Sequence, residues 1–444
     1  MRADSNAMSR RHVLPSTLAL RGPTAIYLGL AVGYAAVLVK DLVSPDIIRA
    51  TDFTVFWGAW HQILHGQAQS LFDEAAQRAT QQMLMHGAYF EGGLMAFLNP
   101  PHAALAGVPF GWLADHGGET VAFIAWTAGN LALLALLVRA LTAEWGHDSS
   151  EQRWMLVLSV LAFYPVFGAI KNGQPSVLLA LAMLGVYRAD KAGHHWAAGA
   201  WLTVLTIKPQ LVPMVVIYLA ARRSWRSLAA GAAYGAAAVV ISAAVLGPSI
   251  WTEYARHVRY LEQFWGSGTP EYMVNLRGAL TRLFGSGAHA TIEAIVFISW
   301  LVGMAGVATI LLRRAIHTDI DTRPAYACAM AVALVSNPHL FVHDAAMWTV
   351  PLILCAAAMR DAGADWMPFA RFALMWPLLF AIGGFIDVKA PLLTWIDPRI
   401  WAIAAASIVI ARLKPSRFPG LQPALVSRPP LHAHSRESFG IGSV

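Results

Sequence analysis

Charged residues and cysteines are scarce in this sequence. Of 444 residues, 13% are Asp, Glu, Lys or Arg, whereas a soluble domain carries about 25%. The two cysteines, Cys328 and Cys355, lie inside apolar runs, which excludes a disulfide framework and a paired-cysteine metal site. We predict that both are buried free thiols. This composition excludes an ordinary soluble domain and predicts a membrane protein.

The sequence also lacks the motifs of soluble nucleotide chemistry. It has no Walker loop, no GxGxxG after a strand and no GxSxG. The formal net charge of +7 comes mostly from Arg and Lys in short loops. We interpret these charges as a membrane-orientation signal, so no nucleic-acid partner is expected.

Long apolar runs are what the sequence has instead. Hydrophobic residues make up 57% of the chain, and the runs of roughly 17–25 residues fit transmembrane helices. Backbone polar groups in hydrocarbon need internal partners, so we predict an all-α polytopic bundle of about twelve transmembrane helices. The predicted spans are 24–43, 119–138, 153–171, 174–188, 196–207, 209–221, 227–247, 289–312, 324–340, 344–359, 367–387 and 395–412.

The two ends of the chain are predicted to be cytoplasmic tails. The apolar run 24–43 exceeds the roughly 7–15 residues of a signal-peptide core, so it is predicted to be an uncleaved anchor after a tail at 1–23. The membrane domain then covers 24–412. Residues 413–444 are rich in Pro, Ser, Arg and His and are predicted to be disordered.

The positive-inside rule orients the predicted spans. The Arg-rich and Lys-rich loops all fall on one, cytoplasmic side only if segment 97–113, which opens with two prolines, does not cross the membrane. We predict that this segment is a re-entrant or interface-lying helix. The largest outer loops are then 44–118 and 248–288.

Asp52 begins a predicted helix at 52–66 in the first outer loop. Its aromatic residues recur at a spacing of 3–4, which predicts an interfacial helix anchored by Phe53, Phe56, Trp57 and Trp60. The carboxylate has two interpretations: an N-cap that accepts free backbone N–H groups, or a catalytic base. The residue alone favours the cap.

Other polar residues stand out on the same predicted face. The turn 171–174 (Lys-Asn-Gly-Gln) is either a solvated turn or part of a site. Lys208 interrupts an apolar region, where a lysine costs about 2.5–3.5 kcal/mol. It either snorkels at a helix end or faces a wet cavity and binds an anion.

The stretch 336–344 and the loop 248–288 add histidines and arginines. His339 and His343 are four residues apart, but the HExxH glutamate and a third ligand are missing, so no metal is expected there. Pro338 predicts a helix start, where histidine could hold a phosphate. In the loop, Arg256 and Arg259 lie among aromatic residues, a pattern typical of lipid-phosphate or sugar binding and equally of an amphipathic interfacial helix.

Together these features resemble glycosyltransferase family 87, a group of polytopic enzymes with the GT-C architecture. The residues that carry the resemblance span roughly 24–360: Asp52-Phe53, Phe56, Gly66, Leu71-Phe72-Asp73, Pro100-Pro101, Pro109, Asn172-Gly173-Gln174, Gly199, Lys208-Pro209, Trp225-Arg226, Ser336-Asn337-Pro338-His339 and His343-Asp344.

The resemblance implies an inverting transfer of a hexose, such as mannose, from a polyprenyl-phosphate sugar to a lipid or glycan acceptor. It places the reaction at the extracytoplasmic face of a bacterial inner membrane, without metal or cofactor, and implies that Asp52 is the general base. The implied phosphate-binding residues are Lys208, His339, His343, Lys171, Arg256 and Arg259. The implied substrate-binding residues are Asn172, Gln174, Gln210 and Trp57.

Two departures from the family pattern leave the sugar and the acceptor open. Phe72 and Leu98-Asn99 stand where the family often has tyrosines. Two other functions also remain. A transporter or lipid flippase would explain the short pair 196–207 and 209–221, although no matching broken pair occurs elsewhere. A non-catalytic membrane scaffold would need no site at all.

Overall fold

A computed structural model of the chain describes residues 18–87, 94–146, 150–264, 273–315, 322–361, 376, 377 and 380. The described chain begins with the helices α1 (Leu18–Leu42), α2 (Pro45–Arg49), α3 (Phe53–Leu64), α4 (Glu74–Leu84), α5 (Pro101–Gly117), α6 (Glu119–Trp145), α7 (Ser150–Leu161), α8 (Tyr164–Lys171) and α9 (Ser176–Lys191). It continues with α10 (His195–Leu205), α11 (Val212–Ala221), α12 (Trp225–Leu246), α13 (Ile250–Phe264), α14 (Leu276–Phe284), α15 (His289–Ala315), α16 (Arg323–Val335) and α17 (Thr349–Asp361). Short 3₁₀ turns cover Ala68–Ser70, Pro209–Leu211, Ser286–Ala288 and Val342–Trp348.

Long apolar helices confirm a polytopic helical membrane protein. Within the described residues, five are long and apolar enough to cross a membrane: Thr24–Leu42, Glu119–Trp145, Trp225–Leu246, His289–Thr309 and Val342–Asp361. A sixth results if α7 and α8, which are bent by 45° at a short break, form one span. The predicted number of twelve is not confirmed.

Several predicted spans are short helices or lie outside the described residues. The segments 174–188, 196–207, 209–221 and 324–340 form helices shorter than the roughly 20 residues of a span. Almost all of 367–387, together with 395–412, the tail 413–444 and residues 1–17, is outside the described part of the chain.

Two large hydrophobic cores hold most of the buried apolar side chains among the described residues, and a small third cluster contains Tyr27, Met155 and Ala162. The larger core includes most of α9, α11, α16 and α17, and the buried free thiols Cys328 and Cys355 confirm the prediction for these residues. The smaller core lies under the first outer loop and is built from α3, α4, α5 and the start of α6.

Helix α3 begins immediately after Asp52, as predicted, but its aromatic residues do not face lipid. Phe53, Phe56, Trp57 and Trp60 are all buried in the smaller core. The prediction that they anchor the helix in the interface is therefore wrong. Periodic spacing reveals an apolar face, and such a face packs against protein as readily as against lipid.

Glycines of α5 let it approach α3 closely. A Cβ atom added at Gly107 would lie 2.2 Å from the Trp60 ring, and one added at Gly111 would lie 2.4 Å from the Trp60 Cβ. No side chain fits at either position without displacing Trp60. Helix α5 starts at the predicted prolines, with Pro101 in its first turn, and packs along α3.

The stretch 336–341 is held in an extended path beside the segment that precedes α14. The Val274 amide donates to the Leu340 carbonyl (2.9 Å), and the Asn275 side chain donates to the Asn337 carbonyl (2.7 Å). A helix does not begin at Pro338, contrary to prediction. The 3₁₀ turn begins only at Val342, so His339 and His343 do not share a helix face.

Candidate active site

Asp52 occupies the N-cap position of α3, but its side chain makes no capping hydrogen bond. The capping interpretation is therefore wrong for the carboxylate. Its Oδ2 atom instead accepts a hydrogen bond from Gln174 Nε2 at 2.7 Å. The side chain is 16% exposed, so Asp52 is shielded by protein yet still reachable.

The turn before α9 brings Gln174 to Asp52 by a close backbone approach. Gly173 has φ +71°, and a Cβ atom there would lie 2.8 Å from the Phe53 Cβ. The Trp126 indole N–H donates to the Gly173 carbonyl at 2.9 Å and fixes the turn. Position 173 requires glycine because its φ is positive and because a side chain would collide with Phe53. The turn is therefore packed against α3, unlike a solvated turn.

His343 lies between two carboxylates. Its Nδ1 atom is 3.9 Å from Asp52 Oδ2, and its Nε2 atom is 3.7 Å from Asp344 Oδ2. Both distances exceed those of hydrogen bonds. They are nevertheless short enough that a small shift of the ring would form either bond. The imidazole therefore lies between Asp52 and the buried acid Asp344 without a hydrogen bond to either.

Asp344 is fully buried and pairs with Lys208. The Lys208 ammonium forms a close ion pair with Asp344 Oδ1, which also accepts from the Ser176 hydroxyl at 2.8 Å. The Phe341 amide donates to Asp344 Oδ2 at 3.4 Å. The Lys208 side chain is only 11% exposed, so the snorkelling explanation is wrong. A buried carboxylate is costly without such partners, and the two charges therefore depend on each other.

The first outer loop braces the segment that carries Lys208. The Asn99 side chain donates to the Ile207 carbonyl at 3.2 Å, and His102 Nε2 lies 2.9 Å from the Thr206 hydroxyl. Asn99 is one of the two positions that depart from the family pattern. Its contact links the loop after Asp52 to the backbone beside Lys208.

His339 is partly buried close to the same charges. Burial, and then the positive charge of Lys208, lower the pKa of His339 from 6.5 to about 3. Its ring is therefore neutral at pH 7 and can donate only one N–H. Beside it, Arg277 is buried, donates to the Pro338 carbonyl at 3.4 Å and pairs with Glu293.

The structure does not bring every predicted site residue to this cluster. Lys171 pairs with Asp41 at the end of α1, at 3.4 Å. Two predicted phosphate-binding arginines lie on α13: Arg256 is exposed and pairs with Glu253 in its own helix, and Arg259 is exposed.

The predicted substrate-binding residues also separate. Gln174 is in the cluster, and Asn172 ends α8 two residues before it. Gln210 is partly buried in the turn after Lys208. Trp57 instead donates its indole N–H to Asp115 at 3.1 Å, on the far side of α3.

Three contributors to the cluster were not predicted: Ser176, Asn99 and His102. Asp344 carries part of the family resemblance but was not among the predicted site residues. Its one sequence signal is an acid directly after a histidine inside an otherwise apolar run. Ser176 has no comparable signal, because its partner lies 168 residues away.

Comparisons with known proteins give the family of the chain. The family model for glycosyltransferase family 87 matches residues 97–342, which is 246 of the 444 residues. A relative from Mycolicibacterium smegmatis, a polyprenol-phosphate-mannose-dependent alpha-(1-2)-phosphatidylinositol mannoside mannosyltransferase, is 28% identical over 338 residues, which cover 69% of this chain and 70% of the relative. No solved structure matches the chain.

Proposed function

The chain belongs to glycosyltransferase family 87, and from this membership we propose that it is an inverting enzyme that transfers mannose from a polyprenyl-phosphate donor to a lipid or glycan acceptor. The donor and the lipid acceptor are inferred from the activity for which the mycobacterial relative is named. One observation carries the proposal: Asp52 lies beside Gln174 and His343, and His343 lies beside the buried Lys208–Asp344 pair.

In this proposal Asp52 is the general base. The hydrogen bond from Gln174 engages Oδ2 and orients the carboxylate, which leaves Oδ1 for the acceptor hydroxyl. As that hydroxyl attacks the anomeric carbon, its proton passes to Asp52. The bond from the anomeric carbon to the phosphate oxygen breaks, and its electron pair leaves with the polyprenyl phosphate. Attack from the face opposite the leaving group inverts the anomeric carbon.

Lys208 is the cation proposed to receive the leaving phosphate. Hydrogen bonds from a charged donor to phosphate are about twice as strong as neutral ones. In the free site Asp344 holds the Lys208 ammonium in place, so a bound phosphate must share or replace this partner. His339 adds a neutral N–H donor, because its pKa of about 3 keeps it uncharged.

We propose that the reaction takes place at the extracytoplasmic face of a bacterial inner membrane. Asp52, the turn at 172–174, Lys208 and the stretch 336–343 all fall on the outer side of the predicted loop arrangement. The contacts among them are consistent with a single side of the membrane. A periplasmic site suits a lipid-linked donor, since soluble nucleotide sugars are cytoplasmic.

Membranes that contain the protein test the proposal with radiolabelled polyprenyl-phosphate mannose. Asp52→Asn should lower the transfer rate by about 10²–10⁴-fold, the size of a general-base contribution. The matched control is Asp46→Asn, an exposed acid of α2 that contacts Arg49. Equal expression and detergent stability of both variants exclude a folding effect. An Asp52→Asn variant with full activity would falsify the assignment of the base.

A further inference from the structure

The opposite end of α3 carries a second cluster of histidines and a carboxylate. His61 Nδ1 lies 2.9 Å from Asp115 Oδ1, and His65 Nδ1 lies 3.7 Å from Asp115 Oδ2. The two imidazole rings lie with their centroids 4.0 Å apart and are tilted by 30°. One potential ligand atom from each residue falls within 4.8 Å of the others. The cluster joins the last turn of α3 to the last turn of α5.

The hydrogen bonds around the cluster orient its side chains but leave ligand atoms available. His65 Nδ1 lies 2.9 Å from the His61 carbonyl, which fixes a proton on Nδ1 and leaves a lone pair on Nε2. The Trp57 indole and His61 both contact Asp115 Oδ1. Among the described residues, Asp115 Oδ2 has no hydrogen-bond partner although it is shielded from solvent. A buried carboxylate oxygen without a hydrogen bond points to a missing partner.

We propose that His61, His65 and Asp115 bind one divalent transition-metal ion of the Zn²⁺ type. Two imidazoles and one carboxylate are ligands that Zn²⁺ accepts, at about 2.0–2.2 Å each. Bound ligand atoms must lie closer together than 4.8 Å, so the side chains rotate towards the ion. His65 is 51% exposed and has room for this rotation, and solvent can fill the fourth position.

A metal ion explains the cluster more fully than a single proton does. One proton on one ring satisfies a single nitrogen–carboxylate contact, whereas both rings lie close to Asp115. A divalent ion accepts a lone pair from each ring and one from the underbonded Asp115 oxygen. The spacing of four residues places His61 in the last turn of α3 and His65 at its C-cap on the same side, as a metal pair requires.

This ion would be separate from the transfer reaction, so the proposal goes beyond the proposed function. His61 and His65 follow Asp52 by nine and thirteen positions on one helix, which is roughly 14 and 20 Å at the helical rise. The ion therefore cannot touch the reacting atoms. Its role is to join α3 to α5, the two helices that carry the first outer loop.

Metal titration of the purified full-length protein tests the proposal without any activity assay. The protein is prepared in detergent on an affinity tag without histidines, stripped with a chelator and titrated with Co²⁺, whose visible absorption reports a four-coordinate site. We expect one Co²⁺ per chain, displaced by one equivalent of Zn²⁺. His65→Gln should weaken binding by at least ~10–100-fold, the loss seen when only an outer-shell partner is removed.

The chain offers a matched control in His116, next to Asp115. Its Nδ1 atom lies 2.9 Å from the carbonyl four residues earlier, as in His65, and its ring stacks on Trp112. His116→Gln should keep the wild-type affinity. Asp115→Asn should lose the ion. If that variant does not fold, the metal affinity of His65→Gln tests the proposal, because His65 is exposed. Absence of a stoichiometric ion, or equal affinity in wild type and His65→Gln, overturns the proposal.

Discussion

The two ends of α3 have similar side chains but different surroundings. At the start of the helix Asp52 lies 3.9 Å from His343, and near its end Asp115 lies 2.9 Å from His61. The first pair is completed by a neutral amide donor and a buried lysine–aspartate pair. The second is completed by another histidine, which is half exposed, and by an indole. These different partners are the basis for proposing proton transfer at one carboxylate and metal binding at the other.

The two clusters also differ in how far apart their residues lie in the sequence. Asp52 and Gln174 are 122 residues apart, and Lys208 and Asp344 are 136 residues apart. The His61–Asp115 contact spans 54 residues inside one loop and its flanking helices. The first cluster therefore depends on the packing of the larger core, whereas the second depends only on the contact between α3 and α5.

After the loss of Asp52, removal of the Lys208 cation should have the largest effect on transfer activity and stability. It should not change the cluster of His61, His65 and Asp115. Lys208→Met leaves Asp344 buried without its main partner, which should destabilise the fold by about 3–5 kcal/mol. The double variant Lys208→Met/Asp344→Leu should recover most of that stability but not the transfer activity. Unfolding in detergent and the mannose-transfer assay measure the two effects. Recovery of activity in the double variant would contradict the phosphate-binding role of Lys208.

A change at Gly173 should separate positioning of Gln174 from general backbone strain. Gly173→Ala should lower transfer by roughly tenfold or more, because a 1 Å displacement at a reaction site can cost about 100-fold. The Cβ would lie 2.8 Å from Phe53 and push Gln174 away from Asp52. Gly193→Ala is the matched control: its φ is +73° and no heavy atom lies within 4 Å of an added Cβ.

Both alanine variants should lose on the order of 1–2 kcal/mol of stability, because alanine disfavours the left-handed conformation. Gly173→Ala should lose more, because its Cβ also collides with Phe53. The decisive measurement is the transfer rate of folded protein. If Gly193→Ala loses as much activity as Gly173→Ala, the close approach to Phe53 has no specific role.

A further prediction concerns the acid stability of the folded chain at His339. The pKa of His339 is lowered from 6.5 to about 3 in the folded chain. Between these values the unfolded chain binds more protons, so stability should fall as pH falls from about 6.5 towards 3. His339→Gln should flatten part of this decline in unfolding temperature, while the exposed His116→Gln serves as control. A decline of equal slope in wild type and His339→Gln would show that His339 does not remain neutral.

Local patterns in the sequence predicted single elements well. The start of α3 at Asp52, the start of α5 at its prolines and the burial of Cys328 and Cys355 all follow from helix chemistry and apolar runs. The resemblance to the family placed Asp52 and Lys208 among the functional residues, and the structure connects them through His343 and Asp344.

Long-range contacts were beyond such patterns. The helix-capping interpretation of Asp52 was reasonable for an acid at a helix start, but Gln174 competes for the same oxygen from 122 residues away. The spacing of His339 and His343 suggested one helix face, yet pairing with residues 274 and 275 keeps the stretch extended. Such partners depend on tertiary packing, which a single sequence does not display.

The buried Lys208–Asp344 pair has a consequence for the route by which phosphate arrives. As a pair it carries no net charge, so it offers inorganic phosphate in the surrounding water little long-range attraction. A lipid-linked phosphate has a second source of binding energy, since each buried methylene contributes about 0.8 kcal/mol. If Lys208 binds the donor phosphate as proposed, this energy can offset the displacement of Asp344 from Lys208. Asp344, as the counter-ion of Lys208, would then make the site selective for lipid-linked phosphate over inorganic phosphate.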